Sequence, residues 1–200
     1  MHIGSMALAK DVSSIIVDDR KVGLISDVPI TGGIPPELDL GGNEETGIFI
    51  SYGRSAGPFA RTLKLTPRCH VLGIGCRRGV QAEDIESLVS DVLEREDISW
   101  ESIRAVSSID LKSDEAGLLE FSRKLKMEPV FFSSDELAAL PQRGFTPSER
   151  VKAVTGVDNV CERAAVAASR NGDIIVRKTS KGGVTLSIVR EPFSLDLKEG

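Results

Sequence analysis

The stretch His70-Val-Leu-Gly-Ile-Gly-Cys76 decides the fold class of this 200-residue chain. It is a compact apolar run that stops at the charged pair Arg77-Arg78, as a strand buried on both faces does. Apolar residues then recur with the spacing of one helix face, at Ile85, Leu88, Val89, Val92 and Leu93. A strand followed by a helix is a βα unit, so the sequence predicts a parallel sheet covered by helices.

The same alternation continues toward the carboxyl terminus. The run Ile103 to Ile109 predicts a second strand, and a helix follows with Leu118, Phe121 and Leu125 on one face. Further predicted elements are a strand at 129–132, helices at 148–154 and 160–169, and β-rich runs at 173–178 and 184–189. The last two runs are joined by a Gly-Gly turn, which is typical of a hairpin. We therefore predict an α/β fold, a three-layer α/β/α domain with a mixed, mainly parallel sheet.

The residues before His70 give weaker signals. Two short apolar runs, Val22 to Ile25 and Ile48 to Ile50, are separated by glycines and prolines that break regular structure. No long helical periodicity is apparent before residue 80, so we interpret this part as a small or partial β-rich segment of strands and loops. The predicted organisation is a disordered or expression-derived start at 1–10, the β-rich segment at 11–67, the main domain at 68–190 and a tail at 191–200.

Composition excludes several classes of function. The net charge of −5 provides no broad basic field, so nucleic acid and anionic membrane surfaces are not expected partners. No apolar run is long enough to span a membrane and no signal peptide is apparent, which predicts a cytoplasmic protein. Cys69, Cys76 and Cys161 contain no C-x-x-C pair, so we expect reduced thiols and no metal site.

The loop after the first strand is the first candidate site. Gly73-Ile-Gly75-Cys-Arg-Arg-Gly79 stands where backbone N–H groups and a helix amino terminus attract anions. Its third glycine comes one residue later than in a dinucleotide fingerprint, so a nucleotide-binding regulator is a weaker alternative. Arg77 and Arg78 either bind carboxylates or are solvated residues at a helix start. Cys76 is either a nucleophile or a small buried thiol.

The loop after the second strand is the second candidate site. Ser107-Ser-Ile-Asp-Leu-Lys-Ser-Asp-Glu115 crowds hydroxyls, acids and a lysine at the carboxyl end of a strand, where open α/β sheets bind ligands. Its last three residues also fit a helix cap and first turn, which leaves Asp110 and Lys112 as the functional pair. Because both loops follow parallel strands, we expect them to share one cleft.

Three charged residues farther along complete the set. Glu162 lies in the first turn of an alanine-rich helix and is either a general acid or base or a partner of the helix dipole. Lys178 and Lys181 flank the final turn and either face a ligand or lie on an exposed hairpin.

Taken in order, these segments resemble the CbiG family. The resemblance is carried by Val71-Leu-Gly-Ile-Gly-Cys-Arg-Arg-Gly79, Ser107-Ser-Ile-Asp-Leu-Lys112, Phe131-Phe132, Gly156-Val157, Glu162-Arg-Ala-Ala165 and Val184-Thr185. Residues 68–190 are similar to the carboxy-terminal domain of CbiG cobalt-precorrin-5A hydrolases and to the related CobE proteins. Residues 11–67 look like part of the CbiG central region.

The resemblance implies a role in cobalamin (vitamin B12) biosynthesis by the anaerobic pathway. The implied reaction is hydrolysis of the δ-lactone of cobalt-precorrin-5A to cobalt-precorrin-5B, with release of acetaldehyde. The implied ligand is a corrinoid precursor that carries the cobalt, with no separate cofactor. The implied partners are other cobalamin-pathway enzymes and the amino-terminal domain of complete CbiG chains. The alternative is a non-catalytic corrinoid-binding or carrier module like CobE.

Lactone hydrolysis requires an activated water, donors for the developing oxyanion and proton transfer as the ring opens. We expect Asp110 or Glu162 to act as the base and Lys112 or backbone N–H groups after Gly75 to stabilise negative charge. The predicted catalytic residues are Asp110, Lys112 and Glu162. The predicted substrate-binding residues are Gly73, Gly75, Cys76, Arg77, Arg78, Ser107, Ser108 and Lys178, and no residue is predicted to bind a metal.

Overall fold

A computed structural model describes residues 1–141 and 143–197. The chain forms two compact units. The first contains Met1–Arg68, Asp97–Ser102 and the residues from Phe193 onward, and the second contains Cys69–Glu96 and Ile103–Pro192. Two segments that follow the start of the second unit, at 97–102 and after 192, thus belong to the first unit.

The regular elements are as follows. The strands are β1 (His2–Ile3), β2 (Val22–Ser26), β3 (Ile30–Thr31), β4 (Leu38–Asp39), β5 (Thr46–Ile50), β6 (Arg61–Thr66), β7 (His70–Cys76), β8 (Ile103–Ile109), β9 (Val130–Phe132), β10 (Asp173–Lys181), β11 (Val184–Arg190) and β12 (Leu195–Asp196). The helices are α1 (Met6–Val17), α2 (Ala82–Arg95), α3 (Ala116–Lys124), α4 (Ser134–Ala138), α5 (Glu149–Thr155) and α6 (Cys161–Ala168). Short 3-10 turns occupy Trp100–Ser102 and Asp110–Lys112.

The first unit is built on a sheet with the strand order β1-β6-β5-β2-β4. Strand β1 is antiparallel to β6, and the other pairs are parallel. Helix α1 packs Leu8, Val12 and Ile16 against Val22 and Leu63 of this sheet. The prediction of a β-rich segment is therefore confirmed, but helix α1 was not predicted. Residues 1–10 belong to β1 and α1 rather than to a disordered start.

The missed helix has a recognisable cause. Its apolar positions Leu8, Val12, Ile15 and Ile16 follow the i, i+4, i+7, i+8 pattern of a helix face, and the Ser5 hydroxyl accepts from the Leu8 N–H at its start. The pair Ser13-Ser14 interrupts the run with residues of lower helix propensity.

The second unit contains a five-stranded sheet with the order β10-β11-β7-β8-β9. Strands β7, β8 and β9 are parallel, whereas β11 is antiparallel to both β7 and β10. The α/β fold with a mixed sheet is confirmed. Two pairs of neighbouring strands are parallel and two are antiparallel, because the closing hairpin contributes both of its strands to the sheet.

Helices cover both faces of this sheet. Val71 packs with Ala165 of α6 on one face. Because side chains alternate along a strand, Leu72 and Ile74 point to the opposite face, where they are fully buried. Helix α2 packs against β11 of this sheet and α3 packs against α2. No helix in the described part of the chain is long and apolar enough to cross a bilayer.

Candidate functional site

A pocket of about 650 Å³ opens at the end of β7 and β8 in the second unit. Its walls come from the loop after β7, the turn after β8, helix α5, the start of α6 and the β10–β11 hairpin. The lining residues are Gly75, Cys76, Arg77, Arg78, Ile109, Lys112, Ser148, Val151, Val154, Thr155, Val160, Cys161, Lys178, Ser180, Lys181, Gly182, Gly183, Val184 and Thr185. Both candidate loops therefore contribute to one pocket.

The pocket is strongly cationic. Five basic side chains line it, Arg77, Arg78, Lys112, Lys178 and Lys181, and no aspartate or glutamate occurs among the described lining residues. The protein as a whole is acidic, with a net charge of −5. The positive potential is therefore local, as expected of a site that binds an anion.

These five cations differ in how far they are already neutralised. Arg78 pairs with Asp114 at 2.6 Å, Lys112 with Glu115 at 3.5 Å and Lys181 with Asp91 at 2.5 Å. Arg77 and Lys178 form no salt bridge within the described residues. They are thus the two cations with the most charge available for a ligand.

The two candidate loops are tied to each other. Arg78 donates to the Asp114 carboxylate and to the Leu111 carbonyl, at 2.6 and 3.2 Å. The Gly79 N–H donates to Glu115 Oε1 at 2.8 Å. The hydrogen bond from Arg78 lowers the pKa of Asp114. The acids at 114 and 115 therefore hold the loop that follows β7, a role that the expectation of simple helix capping missed.

The expected cap at Ser113 is absent for a geometric reason. The residues 110–112 form a 3-10 turn, and the Ser113 N–H donates to the Asp110 carbonyl. Helix α3 begins three residues later, with Glu115 as its N-cap residue. The capping interpretation of Ser113 was wrong because the sequence pattern did not reveal this extra turn.

One wall of the pocket is apolar. Val151 and Val154 of α5 lie there with Ile109 and Val160. Val154 is 74% exposed although it is a large apolar residue. An exposed apolar side chain beside a cluster of cations suits a ligand that has both an apolar surface and acidic groups.

The thiols are not activated. Burial raises the pKa of Cys76, although the positive charge of nearby Lys112 partly opposes the shift. Burial also raises the pKa of Cys69 to about 11 and that of Cys161 to about 12. Because the thiolate is the nucleophile, the structure favours the non-catalytic interpretation of Cys76 as a partly buried thiol.

Three of the predicted binding residues lie in the core instead of the pocket lining. The Ser107 and Ser108 hydroxyls are buried and donate to the carbonyls of Leu72 and Ile74, at 3.1 and 2.6 Å. A Cβ atom at Gly73 would lie 1.8 Å from the Cys161 carbonyl oxygen. Gly73 thus permits α6 to approach β7, and the serines satisfy their hydroxyls across neighbouring strands.

Of the three predicted catalytic residues, only Lys112 is part of the pocket lining. Lys112 lines the pocket, and Asp110 is exposed in the same 3-10 turn without being a lining residue. Glu162 is fully buried, and its carboxylate accepts from the Thr146 N–H, the Thr146 hydroxyl and the Lys178 N–H, each at 2.8 Å. Glu162 is not a lining residue either, so its geometry is that of a structural anchor.

Two of the backbone donors expected after Gly75 are already engaged. The Arg77 N–H donates to the Gly183 carbonyl at 3.0 Å, and the Gly79 N–H donates to Glu115. These two groups hold the loop against the hairpin and against α3. They are therefore not free to form an oxyanion hole.

Sequence reasoning did not single out α5 or Glu115 as parts of the site. Val151 and Val154 are three residues apart in a predicted helix, a spacing that indicates one shared face. That spacing alone does not distinguish a pocket wall from a core contact. Glu115 stood among the residues of the second candidate loop, but its long-range partner Gly79 is invisible without the fold.

No group of three or more potential metal-binding His, Cys, Asp or Glu side chains occurs in the part of the chain that the structure describes. The three cysteines are free thiols. The expectation that they bind no metal stays a prediction.

Residues 70–189 match the family model described as Cobalamin synthesis G C-terminus. This chain belongs to that family. A cobalt-precorrin-5A hydrolase from Priestia megaterium is 35% identical over 127 residues, which is 64% of this chain and 33% of that protein. Protein CobE from Sinorhizobium sp is 32% identical over 119 residues, which is 59% of this chain and 77% of that protein. The match thus spans one third of the first relative and about three quarters of the second.

The solved structures agree with the fold of the family domain. A crystal structure of CobE, a protein from the cobalamin biosynthetic pathway, aligns with a TM-score of 0.58 at 30% identity. The alignment covers 62% of this chain and 91% of CobE. The resemblance to CbiG and CobE proteins is therefore confirmed.

Proposed function

We propose that this chain binds cobalt-precorrin-5A in its cationic pocket and takes part in the opening of the δ-lactone, as a member of the anaerobic cobalamin pathway. The observation that carries the proposal is a pocket with five cations, no acid among its described lining residues and an apolar wall on α5. A corrinoid precursor carries several acetate and propionate groups around a macrocycle. Its carboxylates match the cations, and its ring matches the apolar wall.

The lining residues supply binding and charge stabilisation to this reaction. Water adds to the lactone carbonyl and the ring C–O bond breaks, which leaves a carboxylate and an alcohol. Acetaldehyde leaves in a second step, in which the alcohol loses its proton, the C–C bond between the alcohol carbon and the macrocycle breaks, and the macrocycle carbon takes up a proton. The Lys112 ammonium lies at the pocket wall and is largely buried, so it is suited to stabilise the negative charge that develops on the carbonyl oxygen. Arg77 and Lys178 would hold peripheral carboxylates of the substrate.

The proposed base is Asp110. It is exposed and stands in the chain between two lining residues, Ile109 and Lys112. A carboxylate at this position reaches water readily, which a general base for hydrolysis requires. No cofactor enters this proposal, because the cobalt arrives inside the substrate.

The test uses cobalt-precorrin-5A and the purified 200-residue chain. Acetaldehyde release is followed by a coupled alcohol dehydrogenase assay, with and without the amino-terminal region of a complete hydrolase added in trans. Release by the chain, alone or with that region, supports the proposal. Failure to bind the corrinoid at all contradicts it.

The second candidate is a corrinoid-binding or carrier module like CobE. It is favoured by the absence of a carboxylate from the described pocket lining and by the CobE alignment, which covers 91% of that protein. Tight binding of cobalt-precorrin-5A with no acetaldehyde release, even with the amino-terminal region present, would decide for this candidate. In either case we propose a cytoplasmic location and other cobalamin-pathway enzymes as partners.

A further inference from the structure

The strand that carries Lys178 is irregular at that point. Val176 pairs with Ile188, and Thr179 pairs with Leu186, so β10 uses one more residue than β11 over this interval. An extra residue of this kind is a β-bulge, which bends the strand, re-aims a side chain and removes an N–H from the ladder. Lys178 lies inside this bulge, and its side chain lines the pocket.

The displaced N–H of Lys178 is satisfied by Glu162. It donates to Oε1 of Glu162 at 2.8 Å. Glu162 lies on α6 and is fully buried. A buried N–H without an acceptor would cost free energy, so this carboxylate stabilises the bulge. The position of the Lys178 ammonium therefore depends on Glu162.

The same carboxylate also holds the segment that leads into the apolar wall. The Thr146 hydroxyl donates to Glu162 Oε1 and the Thr146 N–H donates to Oε2, both at 2.8 Å. Asn159 strengthens the arrangement, because its amide donates to the Thr146 carbonyl and its oxygen accepts from the Glu162 N–H. Helix α5, with Val151 and Val154 in the pocket wall, begins three residues after Thr146.

We propose that Glu162 is a positioning residue that fixes the cationic Lys178 and the apolar wall of α5 relative to each other, and that it takes no part in proton transfer. This inference rests on the proposed function only for the identity of the ligand. Three hydrogen-bond donors occupy its two oxygens, Arg177 forms an ion pair with Oε2 at 3.8 Å, and the side chain is not part of the pocket lining. It sets the width of the pocket instead of touching the reacting atoms.

The principal variant is Glu162→Gln, which preserves the volume but turns one oxygen into an NH₂ group that meets a donor. Glu120→Gln, at an exposed position of α3, is the control for the loss of one negative charge. Thr146→Val removes only the hydroxyl contact and serves as a milder variant if Glu162→Gln fails to fold. Equilibrium dialysis measures the dissociation constant for cobalt-precorrin-5A, and acetaldehyde release measures KM and kcat. Amide hydrogen exchange is measured separately, in the ligand-free protein.

We expect Glu162→Gln to raise the dissociation constant and KM by about tenfold or more, the effect of losing hydrogen bonds to a charged acceptor. The value of kcat should stay within about twofold, because binding and not the chemical step is affected. Amides of 146–155 and of Lys178 should exchange at least about tenfold faster, while those of β8 stay protected. Thr146→Val should show the same pattern to a smaller degree, and Glu120→Gln should match the unchanged protein.

Two outcomes would overturn the proposal. A loss of kcat of about a hundredfold with KM unchanged would place Glu162 in the reaction itself. Unchanged exchange at 146–155 and Lys178 in folded Glu162→Gln would show that the carboxylate does not hold the pocket. Because exchange is measured without a ligand, it tests the positioning role even if the protein binds no corrinoid and the proposed function fails.

Discussion

At the scale of single residues, the cations of the pocket are the first test of corrinoid binding. Arg77 has no salt bridge within the described residues, and Lys112 is largely buried at the pocket wall. The double change Arg77→Ala with Lys112→Ala should weaken binding of cobalt-precorrin-5A by about tenfold or more, because two charge-assisted contacts are lost. The remaining affinity should depend on salt no more steeply than before.

Binding is measured by equilibrium dialysis across a salt series, with circular dichroism as the check on folding. The exposed lysines Lys10 and Lys21 of the first unit provide the control, since changing both to alanine removes the same charge at residues that do not line the pocket. An unchanged affinity in the folded Arg77→Ala, Lys112→Ala protein would contradict binding in the pocket.

The thiols give a second prediction at this scale. Cys76 is partly exposed and its pKa is raised, so its alkylation by iodoacetamide should be slow at pH 7 and still accelerate above pH 9, the usual pKa of a thiol. Cys69 and Cys161 should resist alkylation in the folded protein, because both are buried and their pKa values lie near 11 and 12. Peptide mass spectrometry reports each site, and rapid modification of Cys76 at pH 7 would instead indicate an activated nucleophile.

The residue scale is also where sequence reasoning was least complete. Ser107 and Ser108, near the end of β8, were predicted to bind substrate because polar groups at a strand end often do. They lie in the core, where each donates to a carbonyl of β7. A sequence shows that a residue is polar, but only the register of neighbouring strands shows whether a buried acceptor lies opposite.

At the scale of elements, the strands and helices of the second unit were predicted, apart from the short helix α4. The second strand was expected at Ile103 to Ile109, the range that β8 occupies, and the glycine hairpin joins β10 and β11 with positive φ at Gly182 and Gly183. Strong periodicity and turn chemistry are local properties, so the sequence reports them directly. The β-bulge at Lys178 was not predicted, because it depends on how β10 pairs with β11.

Helix α5 provides a prediction about the apolar wall. Val154→Ser should weaken corrinoid binding by about three- to tenfold, since roughly 1 kcal/mol of apolar contact with the ligand is lost. The free energy of unfolding should change by less than about 0.5 kcal/mol, because Val154 is exposed and serine and valine have similar helix propensities.

The control is Val17→Ser, an equally exposed valine at the end of α1 in the first unit. It should leave both binding and stability near their original values. Dialysis with cobalt-precorrin-5A and thermal unfolding measure the two effects. Equal affinities of the two serine variants for the corrinoid would show that α5 does not contribute to binding.

At the scale of the whole molecule, the sequence suggested a boundary at residue 68, but it did not show which segments make up each unit. The residues 97–102 and those after 192 belong to the first unit. Within that unit the Ser99 N–H donates to the Tyr52 carbonyl, and β12 pairs with β3. These contacts join segments that are far apart in the sequence, so no local sequence pattern predicts them.

The buried histidine links the stability of the fold to pH. His70 starts β7 and is fully buried, and burial lowers its pKa to about 4 from an ordinary value of 6.5. Below pH 6.5 the unfolded chain binds a proton on this imidazole, whereas the folded protein does so only near pH 4. Stability is therefore lost as pH falls through this window, by about 1.4 kcal/mol per pH unit and on the order of 3 kcal/mol in total.

Urea unfolding followed by circular dichroism at pH 7, 6 and 5 tests this linkage. A His70→Gln variant cannot titrate at this position, so its stability should fall less between pH 7 and pH 5 than that of the unchanged protein, even if it starts lower. His2→Gln, at an exposed histidine, should retain the full pH dependence. Because the range from pH 7 to pH 6 lies above the ordinary pKa values of Asp and Glu, carboxylates contribute little to the slope there. Parallel stability curves for the His70→Gln and His2→Gln variants would show that His70 is not the group responsible.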